Sequence, residues 1–176
     1  MLSPIGHPSK VSINHSGMNR CKVRGDTITR PVTYSFANPT DKNQIRRLLS
    51  DCELPTLYVH RYLKSFMVAR VGKKIVGVVG VETYGRTGLF RSLCVDEAYR
   101  GRGIATKLNE KLLAYARTRK IGRLYLFTLY AHKFASKLGF RKIDRKQIPE
   151  TIRSTWQFKK SFCYPSVVCM VKKIGR

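Results

Sequence analysis

The chain has 176 residues, 43% of them hydrophobic and 10% aromatic, which predicts one globular domain with a full core and excludes a disordered chain. Lys and Arg number 35 against 10 Asp and Glu, a formal net charge of +25. No apolar run reaches the length of a membrane-spanning helix, and the five cysteines form no C-x-x-C pair. We therefore expect a cytoplasmic protein that uses no metal and does not enter a membrane.

The positive charge has two interpretations. A surface this basic concentrates anions and binds nucleic acid non-specifically at low salt. The basic residues are spread along the chain rather than gathered in one tract. This spread favours an anionic cofactor and substrate, and a weak nucleic-acid association through net charge is the alternative.

Two regions differ in their patterning. Residues 1–30 are rich in Ser, Asn, Gly and basic side chains and show little periodicity, which predicts a flexible basic tail. Residues 31–176 form the predicted domain. Its elements in chain order are a strand over 32–37, a helix over about 41–52, a short helix over 57–63, strands over 66–71, 75–82 and 89–95, a helix over about 103–120, a strand over 124–128, a helix over 131–138, a strand over 140–143, a helix over 148–158 and a strand over 166–171.

A glycine-containing loop joins the strand over 89–95 to the helix that follows. Two glycines in three residues let the backbone turn so that several N–H groups point at one place. A helix N-terminus at that place attracts anions, and two arginines add full charges. The loop predicts a phosphate or pyrophosphate site, with an ordinary strand-to-helix turn as the alternative. Its residues are Arg100, Gly101, Arg102, Gly103, Ile104, Ala105 and Thr106.

Two motifs and the order of the elements resemble one superfamily. Arg100, Gly103 and Ala105 form Arg-x-x-Gly-x-Ala, and Leu138-Gly139-Phe140 follows a short helix. Over residues 31–174 this pattern resembles the GNAT N-acetyltransferases. The resemblance implies an α+β fold with a central mixed, twisted sheet of about six to seven strands, helices on both faces and a splayed cleft for CoA. It also implies acetyl-CoA as co-substrate, with its pantetheine arm paired to the main chain of Leu93, Cys94 and Val95.

The same resemblance implies direct acetyl transfer to an amine, aided by a carboxylate base. Glu82 is the candidate, because it ends a very apolar strand whose alternation can aim it at the cleft. A solvated strand-end glutamate, Glu53 as base, or a water chain are the alternatives. The tyrosine that commonly protonates the leaving thiolate is replaced by Ala135. Tyr130 and Tyr164 are its potential substitutes, and we assign no acid.

Further segments, among them Leu54-Pro55-Thr56 and residues 89–95, resemble the arsenic-operon branch of the superfamily, which is itself similar to amino-acid N-acetyltransferases. The resemblance implies a small amine acceptor that carries a carboxylate. A planar guanidinium suits that group, so we predict Arg91 and Ser92 as its contacts. The alternative is that Arg91 only balances a neighbouring acid. Two other functions are alternatives: acetylation of a macromolecule such as charged tRNA or a ribosomal protein, and CoA binding without catalysis. We expect a monomer or homodimer.

Overall fold

The computed structural model describes residues 30–161 and 164–175. The predicted tail therefore lies outside the described residues, except for Arg30 at its end. Cys21 and Cys163 lie outside them as well. None of the helices in the described ranges is both long and apolar enough to cross a membrane.

A mixed sheet forms the centre of the domain. Its order is β1-β2-β3-β4-β5-β7-β6, and all pairs are antiparallel except the parallel pair of β4 and β5. Seven strands in the described ranges confirm the predicted mixed sheet. The strands are β1 (Val32–Phe36), β2 (Phe66–Val71), β3 (Lys74–Tyr84), β4 (Thr87–Val95), β5 (Arg123–Thr128), β6 (Arg141–Lys142) and β7 (Val168–Lys173).

Helices cover both faces of the sheet. They are α1 (Lys42–Asp51), α2 (Val59–Tyr62), α3 (Ile104–Thr118), α4 (His132–Lys137), α5 (Glu150–Arg153) and α6 (Trp156–Ser161). A Cβ at Gly77 of β3 would lie 3.1 Å from both Ile104 and Leu108, so α3 packs closely on one face. The opposite face carries α1 and α2 over Val78, with α5 and α6 over Leu89.

The strand β4 leaves its neighbour β5 partway along its length. Residues 87–89 of β4 pair with residues 123–125 of β5. Beyond residue 89, β4 is paired only with β3 among the described strands. The β3–β4 register then shifts between Gly80 opposite Arg91 and Val78 opposite Cys94, which inserts an extra residue in β4. Ser92 takes the left-handed conformation there, with φ of 61°. Such a bulge bends a strand, so β4 and β5 splay apart as the family resemblance implies.

Two details differ from the sequence pattern. The predicted helix over 148–158 is divided between α5 and α6. Thr155 causes the break, because its Oγ1 donates to the Ile152 carbonyl at 2.7 Å and accepts from the Phe158 N–H at 3.2 Å. The strand predicted over 140–143 shortens to the two residues of β6. Gly139, with φ of 85°, ends α4 as expected.

Candidate active site

A cleft of about 570 Å³ opens where β4 diverges from β5. It lies between the end of β4, the loop that follows and the first turn of α3. Of the residues predicted to hold the cofactor, all but Arg102 line it. The lining residues are Cys52, Leu54, Leu93, Cys94, Val95, Tyr99, Arg100, Gly101, Gly103, Ile104, Ala105, Thr106 and Phe134.

The loop before α3 has the geometry of an anion site. Gly101 and Gly103 have φ of 75° and 74°, a conformation that side chains with a Cβ rarely adopt. Gly103 is the N-cap of α3 and offers no side chain to the first N–H groups of the helix. Apart from the glycine and its chain neighbours, no described residue has a heavy atom within 4 Å of a Cβ built at either position. An anion can therefore approach these N–H groups closely.

The two loop arginines have different positions. Arg100 lines the cleft, and its Nε donates to the Val95 carbonyl at 3.1 Å. Arg102 lies outside the cleft, with its guanidinium 5.2 Å from the centre of the Tyr99 ring and Nη2 donating to the Ala98 carbonyl at 3.2 Å. Its predicted contact with the cofactor stays a prediction, because the side chain contacts Tyr99 and Ala98 and does not line the cleft.

The β4 residues that are predicted to contact the pantetheine arm line the cleft, but the Val95 carbonyl already accepts from Arg100. The Cys94 thiol lies 3.9 Å from the Leu48 carbonyl, where burial raises its pKa far above the ordinary value. The sulfur therefore stays a neutral thiol.

A second cavity, of about 230 Å³, lies on the sheet face that carries α2, α5 and α6. Both the predicted base and the predicted carboxylate anchor line it. Most of its other walls are aromatic or polar. The lining residues are Tyr58, Arg61, Tyr62, Glu82, Tyr84, Arg91, Ser154, Thr155, Trp156 and Gln157.

Glu82 and Arg91 form a buried ion pair in this cavity, with 4% and 6% of their surfaces exposed. Arg91 Nη1 donates to Glu82 Oε1, and Nη2 donates to the Leu57 carbonyl at 3.2 Å. The Tyr84 hydroxyl donates to Glu82 Oε2 at 2.6 Å. Glu82 is therefore not a solvated strand-end residue. Arg91 does balance an acid, and its contact with an acceptor stays a prediction.

Two tyrosines extend the polar network of this pair. Burial, followed by the hydrogen bond to Glu82, raises the pKa of Tyr84 far above its usual value, so its hydroxyl remains a donor. The Tyr62 hydroxyl lies 3.5 Å from that of Tyr84. The Tyr62 ring is 5.7 Å from the guanidinium of Arg61 and 5.9 Å from that of Arg91. The cavity thus combines a fixed donor, a carboxylate and two cations.

The remaining predicted residues lie elsewhere. Ser92 Oγ accepts from Arg91 Nε at 3.4 Å, but Ser92 occupies the bulge and lines neither cavity. Glu53 is exposed on the loop after α1. Tyr130 is 88% exposed and Tyr164 is 49% exposed, and neither lines a cavity. The geometry of the described residues therefore does not support either tyrosine as the general acid.

Sequence reasoning missed most of the second cavity. Tyr84 has a signal in the sequence, because it lies two residues after Glu82 on the same strand and shares its face. Tyr58, Arg61 and Trp156 come from the α2 and α6 regions, and only the packing of these short helices over β4 brings them to the cavity.

Comparison with known proteins identifies the family. Residues 33–140 match the sequence profile of the Acetyltransferase (GNAT) family. The chain belongs to the GNAT acetyltransferase family. The predicted family and fold are thereby confirmed.

Relatives with different acceptors share this part of the chain. It is 33% identical over 102 residues to "N-alpha-acetyltransferase RimI" of Mycobacterium tuberculosis, covering 51% of this chain and 65% of that protein. It is 31% identical over 105 residues to "N-acetylaspartate synthetase" of Xenopus tropicalis, covering 56% of this chain and 38% of that protein. This GNAT chain therefore spans less than two thirds of each relative.

A solved structure shows the same fold. N-acetylglutamate synthase from Neisseria gonorrhoeae, complexed with coenzyme A and N-acetyl-glutamate, superposes with a TM-score of 0.73 at 18% identity. The match covers 82% of this chain and 35% of that one.

Within the described ranges, no group of three or more His, Cys, Asp or Glu side chains is placed to hold a metal ion.

Proposed function

We propose that this domain transfers the acetyl group of acetyl-CoA to the amine of a small amino-acid-like acceptor, by direct attack in a ternary complex. The observation that carries the proposal is that β4 serves both cavities. Arg91 lines the smaller cavity, and Cys94 lines the larger cleft three residues later. At about 3.3 Å per residue, their backbones lie roughly 10 Å apart. An acceptor amine and a thioester bound in the two cavities can meet across the bulge.

The larger cleft suits CoA. The N–H groups around Gly101 and Gly103 and the N-terminus of α3 would hold its pyrophosphate, with Arg100 adding positive charge. Where β4 no longer pairs with β5, main-chain groups near Leu93 face the cleft and suit the amides of the pantetheine arm. Bound there, acetyl-CoA supplies a thioester carbonyl that is activated toward amines.

The smaller cavity suits an acceptor with a carboxylate. Its charged lining is Arg61, Arg91 and Glu82, a formal charge of +1. A guanidinium has five N–H donors, and Arg91 uses one N–H group each for Glu82, Leu57 and Ser92. It retains donor capacity for a second carboxylate. This favours an anionic group on the acceptor.

Glu82 is positioned to receive the proton that the acceptor ammonium must lose before it attacks. Each oxygen of its carboxylate accepts one hydrogen bond here, from Arg91 and from Tyr84, and has a further lone pair. A water or the Tyr84 hydroxyl can relay the proton to it. The amine nitrogen then forms the new C–N bond, the C–S bond breaks, and the CoA thiolate takes a proton from solvent.

A protein N-terminus is the second candidate acceptor, and the 33% identity to RimI favours it. The two candidates differ in one group. A free amino acid presents a carboxylate to Arg91, whereas the first residue of a protein presents a neutral amide at the same place. The volume of about 230 Å³ fits a single amino acid.

The test compares free amino acids with their α-amides, using release of the CoA thiol by the unmodified protein. Loss of a charge-assisted hydrogen bond of about 1.5–3 kcal/mol lowers kcat/KM roughly 10- to 150-fold for the amide. The amine of the α-amide is less basic than that of the free amino acid, so a larger fraction of it is neutral. This difference alone would give the amide the higher rate. A lower rate with the amide therefore reports the carboxylate contact.

Two outcomes would contradict the proposal. Equal kcat/KM for a free amino acid and its amide would remove the carboxylate from recognition. A peptide preferred over the free amino acid that matches its first residue would favour the protein N-terminus instead. A panel covering acidic, neutral and basic amino acids separates an unsuitable side chain from an unsuitable backbone.

A further inference from the structure

Basic residues concentrate at the end of the sheet that lies away from the cofactor cleft. The sequence has no Asp or Glu in residues 111–143 or 151–176. The end of α3, the start of β5 and the end of β7 all come from these two stretches. We call the following set the basic end: Arg117, Arg119, Lys120, Arg123, Lys172 and Lys173.

The members of the basic end are neighbours in space. Arg123 pairs directly with Lys173 across β5 and β7, and Lys172 pairs with Leu124. The Ile174 N–H donates to the Gly122 carbonyl at 3.0 Å, which joins the end of β7 to the segment after α3. Lys172 is half-buried, and its Nζ donates to the Leu138 carbonyl at 2.5 Å. The other five side chains are exposed.

Within the described ranges, the basic end has no acidic partner. Four acidic residues of the described ranges form ion pairs, and none of their partners belongs to the basic end. They are Asp41, Glu82, Asp96 and Glu110. Arg123 and Lys173 lie opposite each other on neighbouring strands, and like charges in that arrangement destabilise a sheet. Burial lowers the pKa of Lys172, and the nearby Arg117 lowers it further. An external polyanion would relieve this repulsion.

The position of the basic end separates it from the cofactor cleft. Arg123 pairs with Thr87 at the start of β4, and the cofactor cleft lies at Val95, the end of that strand. Nine residues of strand place the two sites about 25 Å apart. The basic end is therefore remote from the residues that we assign to CoA.

We propose that the basic end binds the phosphate backbone of double-stranded nucleic acid without reading its sequence. Arginine and lysine neutralise phosphates, and arginine does so with paired N–H groups. The large hydrophobic side chains exposed in the described ranges are Phe36, Leu57, Tyr130, Phe134 and Tyr164, all outside residues 117–123 and 172–175. The basic end thus offers no aromatic platform for unstacked bases and no apolar anchor for a lipid surface.

The test measures fluorescence anisotropy of a labelled 20-base-pair RNA duplex with the full chain, at salt concentrations from about 50 to 200 mM. If about four phosphates are neutralised, the log–log slope is about −3.6 and affinity falls roughly 100-fold over this range. A variant with Arg117→Glu, Arg119→Glu and Lys173→Glu should bind at least tenfold more weakly. A control with Lys42→Glu, Arg46→Glu and Arg47→Glu makes the same charge change on the exposed face of α1.

The control decides between a defined surface and net charge. The proposal requires the α1 variant to keep most of the affinity. Equal losses in both variants would show that only net charge matters and would overturn the proposal. Single-stranded RNA binding as tightly as the duplex, or anionic vesicles displacing the duplex from the basic end, would overturn it too. Circular dichroism of each variant shows whether it is folded. The outcome of this binding test does not depend on whether the protein transfers acetyl groups.

Discussion

Replacing Gly103 with valine tests the cofactor site at its most constrained point. Gly103 has φ of 74°, and a side chain with a Cβ in that conformation costs about 1–3 kcal/mol. No described heavy atom lies within 4 Å of the new Cβ, so the cost is conformational and the fold should tolerate it. If the loop relaxes, its N–H groups turn away from the pyrophosphate. Loss of two charge-assisted hydrogen bonds, each about 1.5–3 kcal/mol, weakens CoA binding more than about 100-fold.

Gly85 provides a matched control. It has φ of 59° in the turn between β3 and β4, and it too has no described heavy atom within 4 Å of a built Cβ. Gly85→Val should therefore lower the free energy of unfolding by a similar amount and leave CoA affinity unchanged. Isothermal titration with CoA and thermal unfolding measure the two quantities. A folded Gly103→Val protein with CoA affinity within threefold of the unmodified chain would refute the reasoning, and so would equal loss of CoA binding in both variants.

Two further predictions concern carboxylates. Glu82→Gln should slow acetyl transfer by roughly 10²–10⁴-fold while CoA affinity stays the same and Tm falls, because Arg91 is left buried without its anion. A rate within threefold of the unmodified protein across pH 6 to 9 would remove Glu82 from the mechanism. The hydrogen bond from Arg70 lowers the pKa of buried Asp41, so the stability from this pair is present above the ordinary Asp pKa and is lost as pH falls through the lowered one. The difference in Tm between the unmodified protein and Asp41→Asn should therefore shrink from about pH 6 to about pH 3, and a constant difference would contradict this.

Local sequence signals predict the elements that form the cofactor cleft. The apolar strand before Tyr99, the two loop glycines and the periodicity of α3 are contiguous in the chain, so local patterns predict most of its lining. Cys52, Leu54 and Phe134 complete the lining from distant segments. The acceptor cavity is predictable only in part, because its walls come from segments far apart in the sequence. Thr155 shows the same limit locally, since its hydrogen bonds divide a helix that periodicity alone would leave whole.

The distribution of charge over the surface also depends on contacts that the linear pattern does not contain. Basic residues are spread along the sequence, which favours an even distribution over the surface. The fold instead brings Arg123 beside Lys173, although α4, α5 and α6 lie between them in the chain. The acid-free stretches are visible in the sequence, but only the antiparallel pairing of β5 with β7 shows that they meet.

The ion pair of Glu82 and Arg91 explains why acceptor recognition is better tested by changing the acceptor than by changing the protein. Truncating Arg91 would leave the Glu82 carboxylate buried without its cation, which costs about 3–5 kcal/mol in comparable pairs. That is a large part of the roughly 5–15 kcal/mol that holds a domain folded. A rise in KM for an Arg91→Ala protein would then report both a lost acceptor contact and a distorted cavity. The α-amide removes the same contact from the other side and leaves the pair intact. Because the lower basicity of the amide would raise the rate, a lower kcat/KM reports the lost contact.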